Sequence, residues 1–436
     1  MKRQIVSLLF CVATLASAQT AQVPKLTVDQ RSSIASTIAS VLSKYFVERQ
    51  KVSDAQWSTS YQNYLRSAQL ADNRYSFDFA SMEFIAELDN GHTFFQDSWL
   101  AQNYSQPLGF YARPIGSEWV VETSARAEVK SGDVVAAIDS VAMDQFFQRQ
   151  KKYIWASSEA AQRHNLFLIP YLFPEQFILT LGDGRKVAIN RASSKEPQAK
   201  VEGRWLQEGQ TAYIHIPSFF YPFLEDEALT YLNQYRDART IIIDVRKNPG
   251  GAPPVRLMTA LMDRPYHGWK ALRMTPPTPG LVQSPVDQQY RTGQSGPFSE
   301  LAGAVTLSPK TVGGGLSLPG KPIFRGRLML LVDGGCVSAC EDFIEPFKDS
   351  GRATLVGETT QGSSGIPYSY DFHNGMILRV AVTKKYFADG SDFEGVGIKP
   401  DVEVHPTTDA LKSGRDLVLE KAITLAEGDH PQKLHR

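Results

Sequence analysis

The chain has 436 residues, with 46 Lys and Arg against 46 Asp and Glu and 42% hydrophobic residues. Its balanced charge gives no electrostatic handle for nucleic acid or anionic lipid. This length calls for two or three domains with a sizeable core.

Residues 1–18 read as a secretory signal peptide. Lys2 and Arg3 form the basic start, Ile5 to Leu15 the apolar run, and Ala16-Ser17-Ala18 the small-residue cleavage site. The run is too short to span a bilayer, and no later segment is long enough. An exported chain without stable membrane insertion is expected, periplasmic or secreted. Cys336 and Cys340 would then be the remaining cysteines. They fall within one turn of one short segment, where bridge geometry is awkward, so two small packing thiols are expected.

Residues 26–103 form a helical N-terminal region. Ile34, Ile38, Val41, Leu42 and Tyr45 recur at one-face spacing, and a second helix is predicted from Tyr75 to Leu88. ELDNGHTFF follows, in which Asn90-Gly91 signals a turn and His92 comes directly after it. On its own such a histidine reads as a surface group.

Residues 104–195 change character. GFYARPIGSEWVVETSA reads as two strands about a Gly-Ser turn, SGDVVAAIDSVAM as turn, strand and turn, and FILTLGDGRKVAIN as a hairpin. A helix is predicted from Ser157 to Tyr171. From residue 200 the pattern becomes α/β. TIIIDVR is a strand apolar on both faces, followed by KNPGGAPP and a helix over residues 255–262. Residues 264–326 are rich in Pro, Gly and Ser and show no period. Leu328 to Val332 forms the next buried strand, broken by Asp333-Gly334-Gly335. A helix follows with Cys340, Phe343, Ile344 and Phe347 on one face. ATLVGE and ILRVAVTKKYFADG read as one strand each, and 409–425 as a closing helix.

Ser338 stands where a strand has ended and a helix begins. There a hydroxyl meets unpaired N–H groups and the positive end of the helix dipole, which suits either a helix cap or a nucleophile beside an oxyanion site. No G-x-G-x-x-G or Gly-Lys-Ser/Thr follows the glycine turns, and no H-E-x-x-H occurs. Neither a cofactor nor a metal is therefore expected.

IIIDVRKNPGG, LMLLVDGGCVSACEDFIEPFKDSGRATLVGETTQG and DFEGVGIKPDVEV, in that order, resemble the C-terminal processing (tail-specific) family of serine peptidases. The resemblance implies an α/β fold. It would comprise a crotonase-like catalytic core over 200–436, a PDZ-like β-rich domain over 104–195 and the helical region before it. It matches Ser338 to the nucleophile, and Gly250 or Gly251 with Ala339 to the oxyanion hole. Leu108-Gly109-Phe110 resembles the carboxylate-binding loop of a PDZ domain, a device that would capture an extended peptide. The bacterial branch of the family draws its base from a lysine whose position here is Ser363, and a serine cannot free Ser338 at neutral pH. LDNGHTFF instead resembles the histidine segment of the tricorn-type branch, and Glu394 falls on that branch's glutamate. Ser338, His92 and Glu394 then complete a Ser/His/acid set. That branch has a serine just before its histidine, where this chain has Gly91. The orienting contact is therefore expected to be direct, or through Thr93 or water. His215, His373, Lys384 and Lys385 are the rival bases. The function implied is an exported serine endopeptidase acting on proteins or peptides. An inactive peptide- or lipid-binding protein and an esterase-type acyl hydrolase are the alternatives.

Overall fold

The computed structural model describes residues 25–191, 200–275 and 308–428. The expected leader and residues 276–307 lie outside the described residues. Helix α1 (Val28–Tyr45) opens on a Thr27–Gln30 capping box and buries Ile34, Ile38, Val41, Leu42 and Tyr45, the face expected from the spacing. Helices α2 (Asp54–Leu70) and α3 (Arg74–Ala86) start on the side-chain caps of Ser53 and Asn73. The region is not helical throughout. Strand β1 (Phe94–Asp97) precedes the short helix α4 (Ser98–Tyr104).

The next region begins with strands β2 (Phe110–Ile115) and β3 (Glu118–Ser124), which form an antiparallel pair. Strands β4 (Val135–Ile138), β5 (Val141–Ala142), β6 (Gln176–Leu181) and β7 (Lys186–Asn190) form a sheet of order β5-β4-β6-β7. An aromatic core of Phe110, Trp119, Phe147, Phe167 and Phe173 fills the space between. Helix α5 (Met143–Gln150) was not expected from sequence, and Phe146 and Phe147 dock it. The helix predicted over 157–171 is shorter. Helix α6 (Glu159–Asn165) gives way to two 3-10 turns, the second opening on Pro170.

The third region is a six-stranded sheet with helices on both faces. Strands β8 (Glu202–Gln207) and β9 (Thr211–His215) form a hairpin, and helix α7 (Pro222–Gln234) separates it from β10 (Thr240–Asp244). Helix α8 (Val255–Leu261) follows, then strands β11 (Tyr266–His267), β12 (Lys270–Thr275), β13 (Ser308–Gly313) and β14 (Leu316–Ser317). Those four strands lie in the stretch that showed no period. Strand β15 (Arg327–Val332) leads into helix α9 (Ala339–Asp349), strand β16 (Ala353–Gly357) and strands β17 (Pro367–Asp371), β18 (Met376–Ala381) and β19 (Thr383–Tyr386). The described chain ends with β20 (Val402–Glu403) and helices α10 (Thr408–Lys412) and α11 (Leu417–Glu427).

The sheet order is β20-β16-β15-β10-β9-β8, parallel except at β8. Leu224, Leu257, Phe343 and Phe347 belong to the core that includes Ile241, Ile243, Leu328 and Leu330 on one face. Val418, Ala422 and Ala426 pack with Ile242, Met329 and Leu331 on the other. Burial on both faces is why TIIID and LMLLV carry no polar alternation. The closing helix divides at Gly414, which takes φ +68°. ILRVAVTKKYF divides at Val382. β18 lies between β1 and β17, while β19 pairs with β12. The β1–β18 pairing, Phe95 against Leu378, carries the segment after His92 across to the C-terminal third of the chain.

Candidate active site

Two turns end adjacent parallel strands and interlock. After β10, Asn248 is fully buried, donates from Nδ2 to the Ile216 carbonyl (3.0 Å), and accepts the Gly250 N–H (2.9 Å). After β15, one carboxylate oxygen of Asp333 accepts the N–H of Gly335 (2.9 Å) and that of Lys247 (2.8 Å) from the other turn. The Val337 N–H then donates to the Asn248 carbonyl (3.2 Å). Gly250 has φ +84°, and a Cβ there would lie 2.6 Å from the Val337 carbonyl oxygen and 2.8 Å from the Ala339 nitrogen. Only glycine lets the turns approach this closely.

Ser338 sits between Val337 and α9 with φ +61° and ψ −125°, a strained conformation for a residue with a side chain. It occupies the cap position, yet its hydroxyl faces elsewhere. Its Oγ lies 3.0 Å from His92 Nε2. The backbone N–H of Ser338 is held by the Ser363 carbonyl (2.8 Å) and by Glu341 (3.2 Å). Glu341 is fully buried and also accepts from Thr360 Oγ1 (2.6 Å) and from the N–H groups of Gly362 (2.7 Å) and Ser363 (3.0 Å). Burial pushes its carboxyl up to about 8, against the pull of those donors.

His92 is fixed from its own turn, where the Asn90 side chain accepts the His92 N–H (3.0 Å) and donates to Glu48 (3.3 Å). The residue is buried. Loss of hydration pushes its imidazole down to about 4. Lys385 and Arg379 act in the same direction and Asp342 opposes them. At neutral pH the ring is therefore uncharged and able to accept a proton.

Glu394 does not touch the imidazole. His92 Nδ1 lies 2.9 Å from Ser363 Oγ, and Ser363 donates to Glu394 Oε1 (2.8 Å). Ser157 donates to the same oxygen (2.6 Å) and accepts the Gly91 N–H (2.9 Å). These partners fix the tautomer: a proton on Nδ1 points to Ser363, and Nε2 faces the Ser338 hydroxyl. Glu394 is therefore linked to the imidazole through the Ser363 hydroxyl. The expected routes, a direct contact or Thr93, are corrected. Thr93 Oγ1 instead accepts the Ala381 N–H (3.0 Å) at the strand edge. Burial holds the Glu394 carboxyl above its ordinary range, opposed by the two serine hydroxyls.

The Ala339 and Gly251 N–H groups have no acceptor among the described residues, whereas that of Gly250 is taken by Asn248. Leu108 and Phe110 point into the aromatic core, and the carbonyls of Leu108 and Gly109 accept from Arg126 (2.7 Å) and from the Ala125 N–H (2.9 Å). Among the rivals, Lys384 pairs with Glu48 and Asp392, at 3.2 Å each, and Lys385 with Asp342 and Ser364. His215 lines a separate cavity with Asp244 and Arg246, and His373 sits in a turn with an exposed side chain. Cys336 and Cys340 are buried free thiols, and burial raises both away from thiolate formation. Among the described residues no group of three or more His, Cys, Asp or Glu could hold a metal, and no helix could cross a membrane.

Residues 210–404 match Peptidase family S41. The carboxyl-terminal-processing peptidase 3, chloroplastic, of Arabidopsis thaliana is 28% identical over 238 residues, 53% of this chain and 38% of that protein. A probable CtpA-like serine protease of Staphylococcus aureus (strain COL) is 31% identical over 99 residues, 20% of each chain. This chain therefore spans well under half the length of the curated relatives it matches. Among solved structures, mature CPAF is similar with a TM-score of 0.67 at 15% identity, covering 93% of this chain and 99% of that one. The photosystem II D1 C-terminal processing protease is similar with a TM-score of 0.52 at 19% identity, covering 92% and 98%. These two likenesses describe the mixed α/β fold. The turns around Ser338 thus lie inside the stretch that matches Peptidase family S41.

Proposed function

We propose that the chain is a serine endopeptidase that cleaves protein or peptide substrates through an acyl-enzyme, with His92 as its base, as in the tricorn-type branch. The observation that carries this reading is the 3.0 Å separation of His92 Nε2 and Ser338 Oγ, two residues 246 positions apart in sequence. Ser338 attacks the scissile carbonyl while Nε2 takes its proton. The imidazolium so formed is stabilised through Nδ1–H, the Ser363 hydroxyl and the Glu394 carboxylate. The oxyanion is received by the N–H groups of Ala339 and Gly251, the two without acceptors, at the start of α9. His92 then gives its proton to the leaving amine, and water reverses the sequence to release the acyl group.

The region over 104–195 would act as the PDZ-like module that presents an extended substrate segment, and residues 1–18 would direct export. The test of the chemistry is Ser338→Ala beside His92→Ala in a casein or peptide assay, with fluorophosphonate labelling of the wild type. Unchanged hydrolysis in either variant would end the assignment for that residue. Unlabelled, folded wild type that takes up peptide or lipid would support the inactive binding protein. Parallel ester and amide substrates separate a peptidase from an esterase-type hydrolase.

A further inference from the structure

A cavity of about 580 Å³ adjoins the Ser338 site. Asp342, one helical turn beyond Ser338 on α9, lines it, as does Pro253, two residues past Gly251. Thr383 also lines it, and a Cβ built on Gly365 would lie 2.8 Å from the Thr383 carbonyl oxygen and 3.9 Å from His92 Cβ. The cavity therefore lies within a side chain's reach of the reacting groups.

Much of the lining is apolar, with Met258, Met262, Trp269 and Ile366. Its charges do not cancel. Lys385 and Asp342 satisfy each other, helped by Ser364 and by Trp269 Nε1, which donates to Asp342 (2.9 Å). Arg273 has no such partner among the described residues. It stands directly opposite Thr383 in the β12–β19 pair, so both side chains share one face. The buried Nε of Arg273 and Oγ1 of Thr383 each lack a hydrogen-bond partner among the described residues, and Thr383 is 2% exposed. A buried guanidinium N–H and a buried hydroxyl without partners are costly in a folded chain, and they point to a group that arrives from outside. An arginine fork with one excess positive charge suits a carboxylate, and the apolar lining suits the stem that carries it.

We propose that this cavity is the pocket that selects the substrate next to the scissile bond, with Arg273, assisted by Thr383, receiving a substrate carboxylate. This rests on the peptidase reading above. The carboxylate comes either from an acidic side chain flanking the cut or from the substrate's free C-terminus.

The test digests a proteome-derived peptide library with the wild type and with Arg273→Met, and maps the cuts by mass spectrometry. The expected result is an enrichment of about tenfold or more at sites with a carboxylate at one fixed position, lost in Arg273→Met. Arg273→Lys, which keeps the charge but not the fork, should retain part of it. Enrichment at Asp or Glu identifies the side chain as source, and enrichment at a fixed distance from the chain end identifies the terminus. Should Arg273→Met fail to fold, Thr383→Val removes one hydroxyl and should reduce the same preference. Absence of enrichment in the wild type, or enrichment unchanged in the folded Arg273 variants, overturns the proposal. A wild type that cuts nothing would defeat the peptidase reading alone. The pocket is then read by binding of a fluorescein-labelled peptide pool before and after amidation of its carboxylates. Tighter binding of the acid pool that depends on Arg273 supports the pocket, and equal binding overturns it.

Discussion

Replacing Ser363 by Ala removes one oxygen together with its hydrogen bonds to His92 Nδ1 (2.9 Å) and to Glu394 (2.8 Å) and a longer contact with Ser157 (3.3 Å). In the resting enzyme the loss is modest. An orphaned Nδ1–H in a buried site costs about 1–3 kcal/mol of stability. In the transition state the ring is charged. A hydrogen bond to a charged group is worth about 1.5–3 kcal/mol, and Glu394 has no other described route to the imidazole. Only the second term raises the barrier, so the loss is about 1.5–3 kcal/mol, or about tenfold to a hundredfold in kcat. Ser363 is 1% exposed, so substrate does not reach it and KM should stay close to the wild-type value. The assay is steady-state hydrolysis of a fluorogenic peptide, with the rate of fluorophosphonate labelling as a second readout and a thermal melt as control. A folded Ser363→Ala enzyme with kcat within about threefold of wild type would refute the reasoning, because Glu394 would then contribute nothing through this hydroxyl.

Three further outcomes follow from the same geometry. With His92 pushed from 6.5 down to about 4, the acid limb of kcat/KM should fall near pH 4 to 5 rather than near 6.5, as read from a pH–rate profile. The same shift makes the unfolded chain the better proton binder in that window. Stability from this group is thus full above 6.5 and is lost as pH falls toward 4, by about 3 kcal/mol in total, which urea melts of wild type and His92→Gln at pH 7 and 4.5 would compare. Gly250→Ala puts a Cβ 2.6 Å from the Val337 carbonyl oxygen at φ +84°, so it should cost about 1–3 kcal/mol in strain and abolish labelling of Ser338 by shifting the nucleophile turn.

The parts of the molecule that sequence makes legible are those whose cause is local. TIIID and LMLLV are strands because both faces are covered, and uninterrupted apolar runs of that length leave few other options. Ser338 and the Gly334-Gly335 turn just before it carry a motif within a dozen residues. The hydroxyls that couple the acid are different. Ser157 lies 206 positions before Ser363, in a polar stretch ahead of α6, and neither serine has a neighbour in sequence that marks it. Their role exists only once three loops meet, and the one available signal was a mismatch, the serine standing where a lysine was expected. β1 was hidden for a similar reason. FFQD is too short to announce a strand, and its partner β18 lies almost three hundred residues away. Residues 264–326 concealed β11 to β14 because those strands lie among Pro and Gly and are fixed by distant partners, β12 lying between β13 and β19, so packing rather than periodicity decides them.

Gly91 is the residue through which this arrangement can be tested most sharply. Its backbone is not in the left-handed region, so glycine is not demanded by conformation. It is demanded by space. A Cβ at Gly91 would lie 2.5 Å from Ser363 Oγ, 3.0 Å from Ser363 Cβ and 3.4 Å from Ser157 Oγ. The gap beside His92 Nδ1 therefore holds one hydroxyl, and residue 363 supplies it. Gly91→Ala should expel that hydroxyl and lower kcat about as far as Ser363→Ala does, with only a small change in melting temperature. The double variant should then cost no more than either single one, because both remove the same contact, which makes the coupling in a double-mutant cycle equal to the single loss, about 1.5–3 kcal/mol. Additive losses would mean that the two positions act separately and that the crowding beside Nδ1 has no part in catalysis. Gly91→Ser combined with Ser363→Ala goes further: it offers the hydroxyl from the residue before the histidine. Recovery of part of the lost kcat there, with none in Gly91→Ala/Ser363→Ala, would establish that the imidazole needs a hydroxyl at that point, whichever segment provides it.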